Sequence, residues 1–161
     1  MKVATLGIWL LALILSAPVA AESRWPEQGW QVMPTPLAYE ELLEALHEAV
    51  EAEGMFVVTE AGPTEAAANR GVTIPGNRVV GVFRNDYAVR ILRLSVPAMI
   101  EAPMRFYVTE NDDGSATLSW KTPTHLLSPY MEAADEELET VARELDTLFA
   151  AIAQRATEVS D

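Results

Sequence analysis

Met104-Arg-Phe-Tyr-Val-Thr-Glu-Asn-Asp-Asp-Gly-Ser-Ala-Thr-Leu-Ser-Trp-Lys121 is the stretch whose reading decides the fold. Two runs, Met104–Glu110 and Ser115–Lys121, alternate in character with the period of a strand that turns one face to a core. Between them stands Asn111-Asp112-Asp113-Gly114. Asp-Gly tolerates the positive φ of a tight turn, so the two runs are expected to form a hairpin, ended by Pro123.

Upstream, the period changes. Tyr39, Leu42, Leu43, Leu46 and Val50 recur at spacings of three and four, and Glu40, Glu41, Glu44, Glu48 and Glu51 fill the other faces. That is an amphipathic helix made to pack on a sheet, with Gly54 as its left-handed cap. A short strand, Gly29–Met33, is expected before it, stopping at Pro34-Thr35-Pro36, and another, Met55–Glu60, after it. Gly62-Pro63 turns into a short helix, Thr64–Asn69, closed by Gly71. Arg78–Arg84 reads as a buried strand charged only at its ends. Asn85 or Asp86 is expected to cap a helix over Tyr87–Leu94.

Ser128-Pro129 is expected to open the last helix, whose apolar stripe is Ala134, Leu138, Val141, Leu145, Leu148 and Ile152. Unbroken to Thr157 it would span ~43 Å at ~1.5 Å per residue, against a radius of gyration near ~14 Å for such a domain. Such a helix would overhang the body unless one of two readings holds. Either the helix lies across a second subunit, giving a homodimer through the C-terminal helix, or it breaks near Ala133-Ala134 and lies on its own sheet. The whole is expected to be one α+β domain over residues 31–157, an antiparallel-rich sheet covered by helices, behind a polar lead at 22–30.

The first 21 residues read as a cleaved signal peptide. Lys2 precedes an apolar run, Val3–Leu15, and small residues follow to Ala21, which sets a cut between Ala21 and Glu22. Pro18 interrupts the run short of the ~20 apolar residues of a spanning helix, and no Cys follows it for lipid attachment. The expected product is periplasmic or secreted, with no membrane attachment after cleavage. Losing the leader removes Lys2 and no acid, which takes the net charge from −13 to −14. Lys121 is then the only lysine, a composition unsuited to nucleic acid, which is bound by neutralising phosphates. The absence of Cys rules out disulfides, thiolate nucleophiles and thiolate metal sites.

The charge is uneven. Leu37–Ala66 holds eight acids and no Lys or Arg, whereas Asn77–Tyr107 carries Arg78, Arg84, Arg90, Arg93 and Arg105 against Asp86 and Glu101. These arginines form either a patch that attracts an anionic ligand or acidic partner, or partners for the chain's own acidic helices; the second reading is preferred.

Four stretches together resemble domain-of-unknown-function family 302. They are Tyr39-Glu40-Glu41-Leu42-Leu43 leading to Glu53-Gly54-Met55-Phe56-Val57-Val58; Arg78-Val79-Val80-Gly81-Val82-Phe83-Arg84-Asn85; Pro103-Met104-Arg105-Phe106-Tyr107-Val108 running to Asp113-Gly114; and Ser119-Trp120-Lys121-Thr122-Pro123 before the acidic last helix. Two positions depart from the family pattern: Asp86 where proline is usual, and Ala38 where serine is frequent. The resemblance implies a compact sheet covered by helices, similar to the TATA-binding-protein-like architecture, with dimers among relatives. It implies no activity.

The residues that carry chemistry are few. Arg78, Arg84, Asn85, Tyr107 and His125 fall at strand ends or alternate strand positions, and are the candidates for binding a carboxylate or phosphate; the competing reading is a solvated rim. His125, in a loop after the hairpin, suggests a hydrolase with Ser119, Ser128 or Asp112, though no nucleophile-elbow motif accompanies it. Glu44-x-x-His47 matches half of a di-metal helix motif and reads more simply as a surface His near Glu44 and Glu51. Met33, Met55, Met99, Met104 and Met131 raise copper(I) carriage, but they are scattered like core fillers. The glycines are dispersed and form no phosphate loop. The expected function is an exported module that binds a small ligand, an anionic one being among the candidates, or a protein partner, without catalysis and without a cofactor. The alternatives are a hydrolase using His125 and a periplasmic copper carrier.

Overall fold

The computed structural model describes residues 25–134 and 136–158; the leader and the cut between Ala21 and Glu22 lie outside the described residues. In chain order the elements are β1 (Trp30–Ala38), α1 (Tyr39–Ala52), β2 (Phe56–Ala61), α2 (Thr64–Ala68), β3 (Asn77–Phe83), α3 (Asn85–Leu94), a 3-10 turn (Pro97–Glu101), β4 (Met104–Glu110), β5 (Ser115–Lys121), α4 (Pro123–Met131) and α5 (Glu136–Thr157).

The five strands make one sheet in the order β1-β5-β4-β3-β2, each pairing antiparallel. The hairpin has the bounds that its alternation sets. Gly114 turns at φ 83°, and the Asp113 carboxylate accepts the Ser115 N–H at 3.0 Å. The registers Val80↔Phe106↔Trp120 and Val108↔Leu118 put these side chains on one face, where all are buried. Leu42, Leu46 and Val50 of α1 and Val141, Leu145, Phe149 and Ile152 of α5 complete that core. Phe149 stacks on Phe106 with centroids 4.6 Å apart and planes 19° from parallel. The register places Trp30, Val79, Arg105, Tyr107, Ser119 and Lys121 on the other face.

Three local expectations need correction. β1 does not stop at Pro34-Thr35-Pro36 but runs to Ala38. It is an edge strand, so proline costs it few ladder bonds; the register shifts after Thr35, whose hydroxyl donates to the Ala116 carbonyl at 2.8 Å. Neither Asn85 nor Asp86 caps α3. The helix starts at Asn85 after an extended Arg84, and the Arg84 guanidinium holds the Asp86 carboxylate at 2.8 and 3.1 Å.

The last helix does not start at Pro129. Pro123 opens α4, Thr122 caps it, and Pro129 lies inside it. Pro129 has no N–H for the His125 carbonyl one turn back, and the Ser128 hydroxyl donates to that carbonyl instead, at 2.8 Å. The chain leaves α4 after Met131 and enters α5 at Glu136, which is the break expected near Ala133-Ala134. α5 is thus ~33 Å long at ~1.5 Å per residue. Its stripe residues Leu138, Val141, Leu145 and Ile152 are 0–3% exposed within their own domain. No helix among the described residues is long and apolar enough to cross a membrane.

Candidate functional site

The face of the sheet turned away from the core carries a cavity of ≈ 400 Å³, lined by Trp30, Asn77, Val79, Arg105, Phe106, Tyr107, Trp120, Lys121 and Leu126. Four of the five strands contribute. Phe106 and Trp120 are buried at 0% and 5% exposure, while the Trp30 and Tyr107 rings are only half-buried. Trp25, from the segment before β1, packs against both: its centroid is 5.3 Å from that of Trp30 and 6.1 Å from that of Tyr107. The segment from Trp25 to Gly29 is therefore held against the sheet by its tryptophan. Lys121 Nζ stands 5.6 Å over the Trp30 ring, a cation–π distance.

The electrostatics of this cavity invert those of the chain. Among the described residues, Arg78, Arg84, Arg90, Arg143 and Arg155 are ion-paired. Arg70, Arg93, Arg105 and Lys121 have no carboxylate at ion-pair distance among the described residues; of these four, Arg105 and Lys121 line the cavity, whose lining contains no Asp or Glu. A low-dielectric wall with two uncompensated cations focuses positive potential onto that spot.

The five candidates singled out from sequence do not share one site. Tyr107 lines the cavity. Arg78 has the strand parity of Val80, which turns it to the helix side, 3.6 Å from Glu60 and 3.9 Å from Glu65. The Tyr39 hydroxyl, then Glu60 and Glu65, hold its pKa above the ordinary arginine range. Arg84 is occupied by Asp86 and lies 4.4 Å over the Tyr87 ring. That pairing holds the Asp86 carboxyl below its usual range. Asn85 is exposed in the first turn of α3. For Arg78, Arg84 and Arg90 the pairing with the chain's own acids prevails; Arg93 and Arg105 depart from it among the described residues.

His125 lies in the first turn of α4 and not in a loop, and packs its imidazole against the Gly29 backbone, where a Cβ would collide with the ring. Ser119, Ser128 and Asp112 do not form a hydrolytic set around it. The Ser128 hydroxyl is spent on the His125 backbone carbonyl, and Ser119 is buried and donates to the Tyr107 carbonyl at 3.4 Å. Asp112 sits at the far end of β5, a seven-residue strand of ~3.3 Å per residue. His47 Nε2 lies 3.1 Å from Glu60 of β2, rather than against Glu44 or Glu51. Among the described residues no group of three or more His, Asp or Glu side chains is placed to hold a metal. Met55 and Met104 are core residues, and Met33, Met99 and Met131 pack against that core.

Trp30, Asn77, Arg105 and Lys121 were missing from the sequence-derived set. Arg105 shares the charge signal of the arginine-rich stretch; for the others the one sequence signal is strand parity, legible only when registers such as Trp30↔Lys121 and Gly81↔Arg105 are known.

The profile of the family described as "Domain of unknown function DUF302" matches residues 31–155. No curated protein matches the chain. Among solved structures, the crystal structure of an uncharacterized conserved DUF302 protein from Bacillus stearothermophilus superimposes with a TM-score of 0.71. The match covers 80% of this chain and 98% of that one at 20% identity, and at that identity the likeness concerns the fold.

Proposed function

The chain belongs to the DUF302 family, and from that premise, a scaffold without assigned chemistry, we propose that it is an exported module that binds a small organic anion on its open sheet face without transforming it. One observation carries the reading: in a chain of 24 acids and 11 bases, the cavity holds, among the described residues, two cations without an acidic partner and no acid. Arg and Lys beside apolar walls suit a carboxylate, and the volume lies at the lower end of the range for small-molecule sites. The lining supplies Trp, Tyr, Asn, Arg and Lys, which hold ligands, rather than a paired acid and base for proton transfer. We read the sheet with its helices on one face as TATA-binding-protein-like, and the segment ending at Ala21 as an export leader lost before the module acts.

Thermal unfolding of the leaderless protein with small organic anions and their neutral amides tests the reading. A ligand at a hundred times its Kd adds about 2.7 kcal/mol, so anions should raise the midpoint and amides should not. Equal midpoints throughout would contradict it. A second reading, assembly with a protein partner or a second copy, has in its favour Leu92, Val96 and Ile100, which are 47%, 70% and 78% exposed near the 3-10 turn. It would use α3 rather than the buried stripe of α5.

A further inference from the structure

The cluster of rings beside the two cations narrows the ligand class. Trp25, Trp30 and Tyr107 are three of the chain's 12 Trp, Tyr and Phe residues, and they gather at one surface spot instead of in the core. Trp25 and Trp30 meet at 48° and Trp25 and Tyr107 at 70°, so the three rings form a bent wall instead of a flat stack. A bent aromatic wall binds a flat ring by offset or edge-to-face contact. The same wall without basic residues would be a cage for a quaternary ammonium. Here Lys121 already occupies the cation–π position over Trp30, and Arg105 adds a second positive charge. A cationic ligand would meet that field without a compensating carboxylate. The lining also contains no glycine and no helix N-terminus with free N–H groups of the kind that cradles phosphate.

We propose that the cavity takes an aromatic carboxylate of one or two rings, its ring against Trp30 and Tyr107, its carboxylate on Arg105 and Lys121, and Trp25 closing the outer side. This deepens the ligand-binding reading given above and rests on it.

The test is calorimetric titration of the leaderless protein with benzoate, hexanoate and tetramethylammonium as probes, repeated on Arg105→Gln, Lys121→Gln and Trp30→Leu after circular dichroism has shown each variant folded. Saturable benzoate binding that exceeds hexanoate binding about tenfold is the expected result. Each charge-removing variant should weaken benzoate about tenfold or more, and Trp30→Leu should weaken benzoate several-fold while leaving hexanoate unchanged. Should hexanoate bind as well as benzoate, with the same dependence on Arg105, the aromatic class is overturned and the anion-binding reading stands. Should tetramethylammonium bind in place of benzoate, the charge assignment is overturned. The absence of saturable heat with all three probes would overturn both this proposal and the reading beneath it.

Discussion

Gly29→Ala measures how firmly His125 is committed to the fold. Gly29 has φ 73°, where a side chain costs ~1–2 kcal/mol. Its new Cβ would also fall on the His125 ring at Cγ, the atom nearest the backbone, so the whole ring must move. His125 is exposed, so its ring is displaced toward solvent and not into a core, at a cost of ~0.5–1.5 kcal/mol for the distorted rotamer, which gives ~1.5–3.5 kcal/mol in all. Gly114→Ala is the internal control: φ is 83°, but nothing lies within 4 Å of the added carbon, so only the backbone cost of ~1–2 kcal/mol applies. The excess of the first over the second isolates the clash. Removing the ring should recover it, so Gly29→Ala/His125→Ala should cost no more over His125→Ala than Gly114→Ala costs over the parent. The assay is urea unfolding followed by circular dichroism, with free energies taken from the midpoints at constant slope. If Gly29→Ala costs no more than Gly114→Ala, or adds independently to His125→Ala, then His125 does not pack against Gly29 and its structural role fails.

Phe149→Ala removes a fully buried ring stacked on Phe106 and should cost ~3–5 kcal/mol in the same assay; a cost below ~1 kcal/mol would mean that α5 does not seal this core. Glu144 supplies a pH signature. The Arg90 guanidinium, bonded to it at 2.6 and 3.1 Å, holds its carboxyl below the usual carboxylate range. A depressed carboxyl stabilises the fold above its unfolded pKa, and that contribution is lost as pH falls through its folded pKa. The stability gap between the parent and Glu144→Gln should therefore be present at neutral pH and close in acid; a gap that stays constant across urea midpoints taken over that range would refute the pairing.

The fold was legible wherever the signal was local. The β4–β5 hairpin needed only its alternation and Asp-Gly, and α1 needed only the spacing from Tyr39 to Val50. Both elements carry their pattern within their own residues. Prolines misled where tertiary context outweighs propensity: β1 runs through Pro34 and Pro36 because an edge strand tolerates them, and α4 runs through Pro129 because Ser128 fills the vacant bond. The site was the least legible part. Trp30, Lys121, Arg105 and Asn77 lie on four strands and meet through antiparallel registers that no single segment encodes. Arg78 and Arg84 stood out by charge, yet Glu60 and Asp86 neutralise them.

The most direct measurement is a benzoate titration of the leaderless, ¹⁵N-labelled protein followed by its indole and amide resonances. Three tryptophans remain in that chain, Trp25, Trp30 and Trp120. We expect saturable shifts at the Trp25 and Trp30 indoles and at the Arg105, Tyr107 and Lys121 amides, with His47 and Glu60 unmoved. Shifts confined to the His47–Glu60 end of the domain, or none that saturate, would contradict the placement of the binding site on the open sheet face.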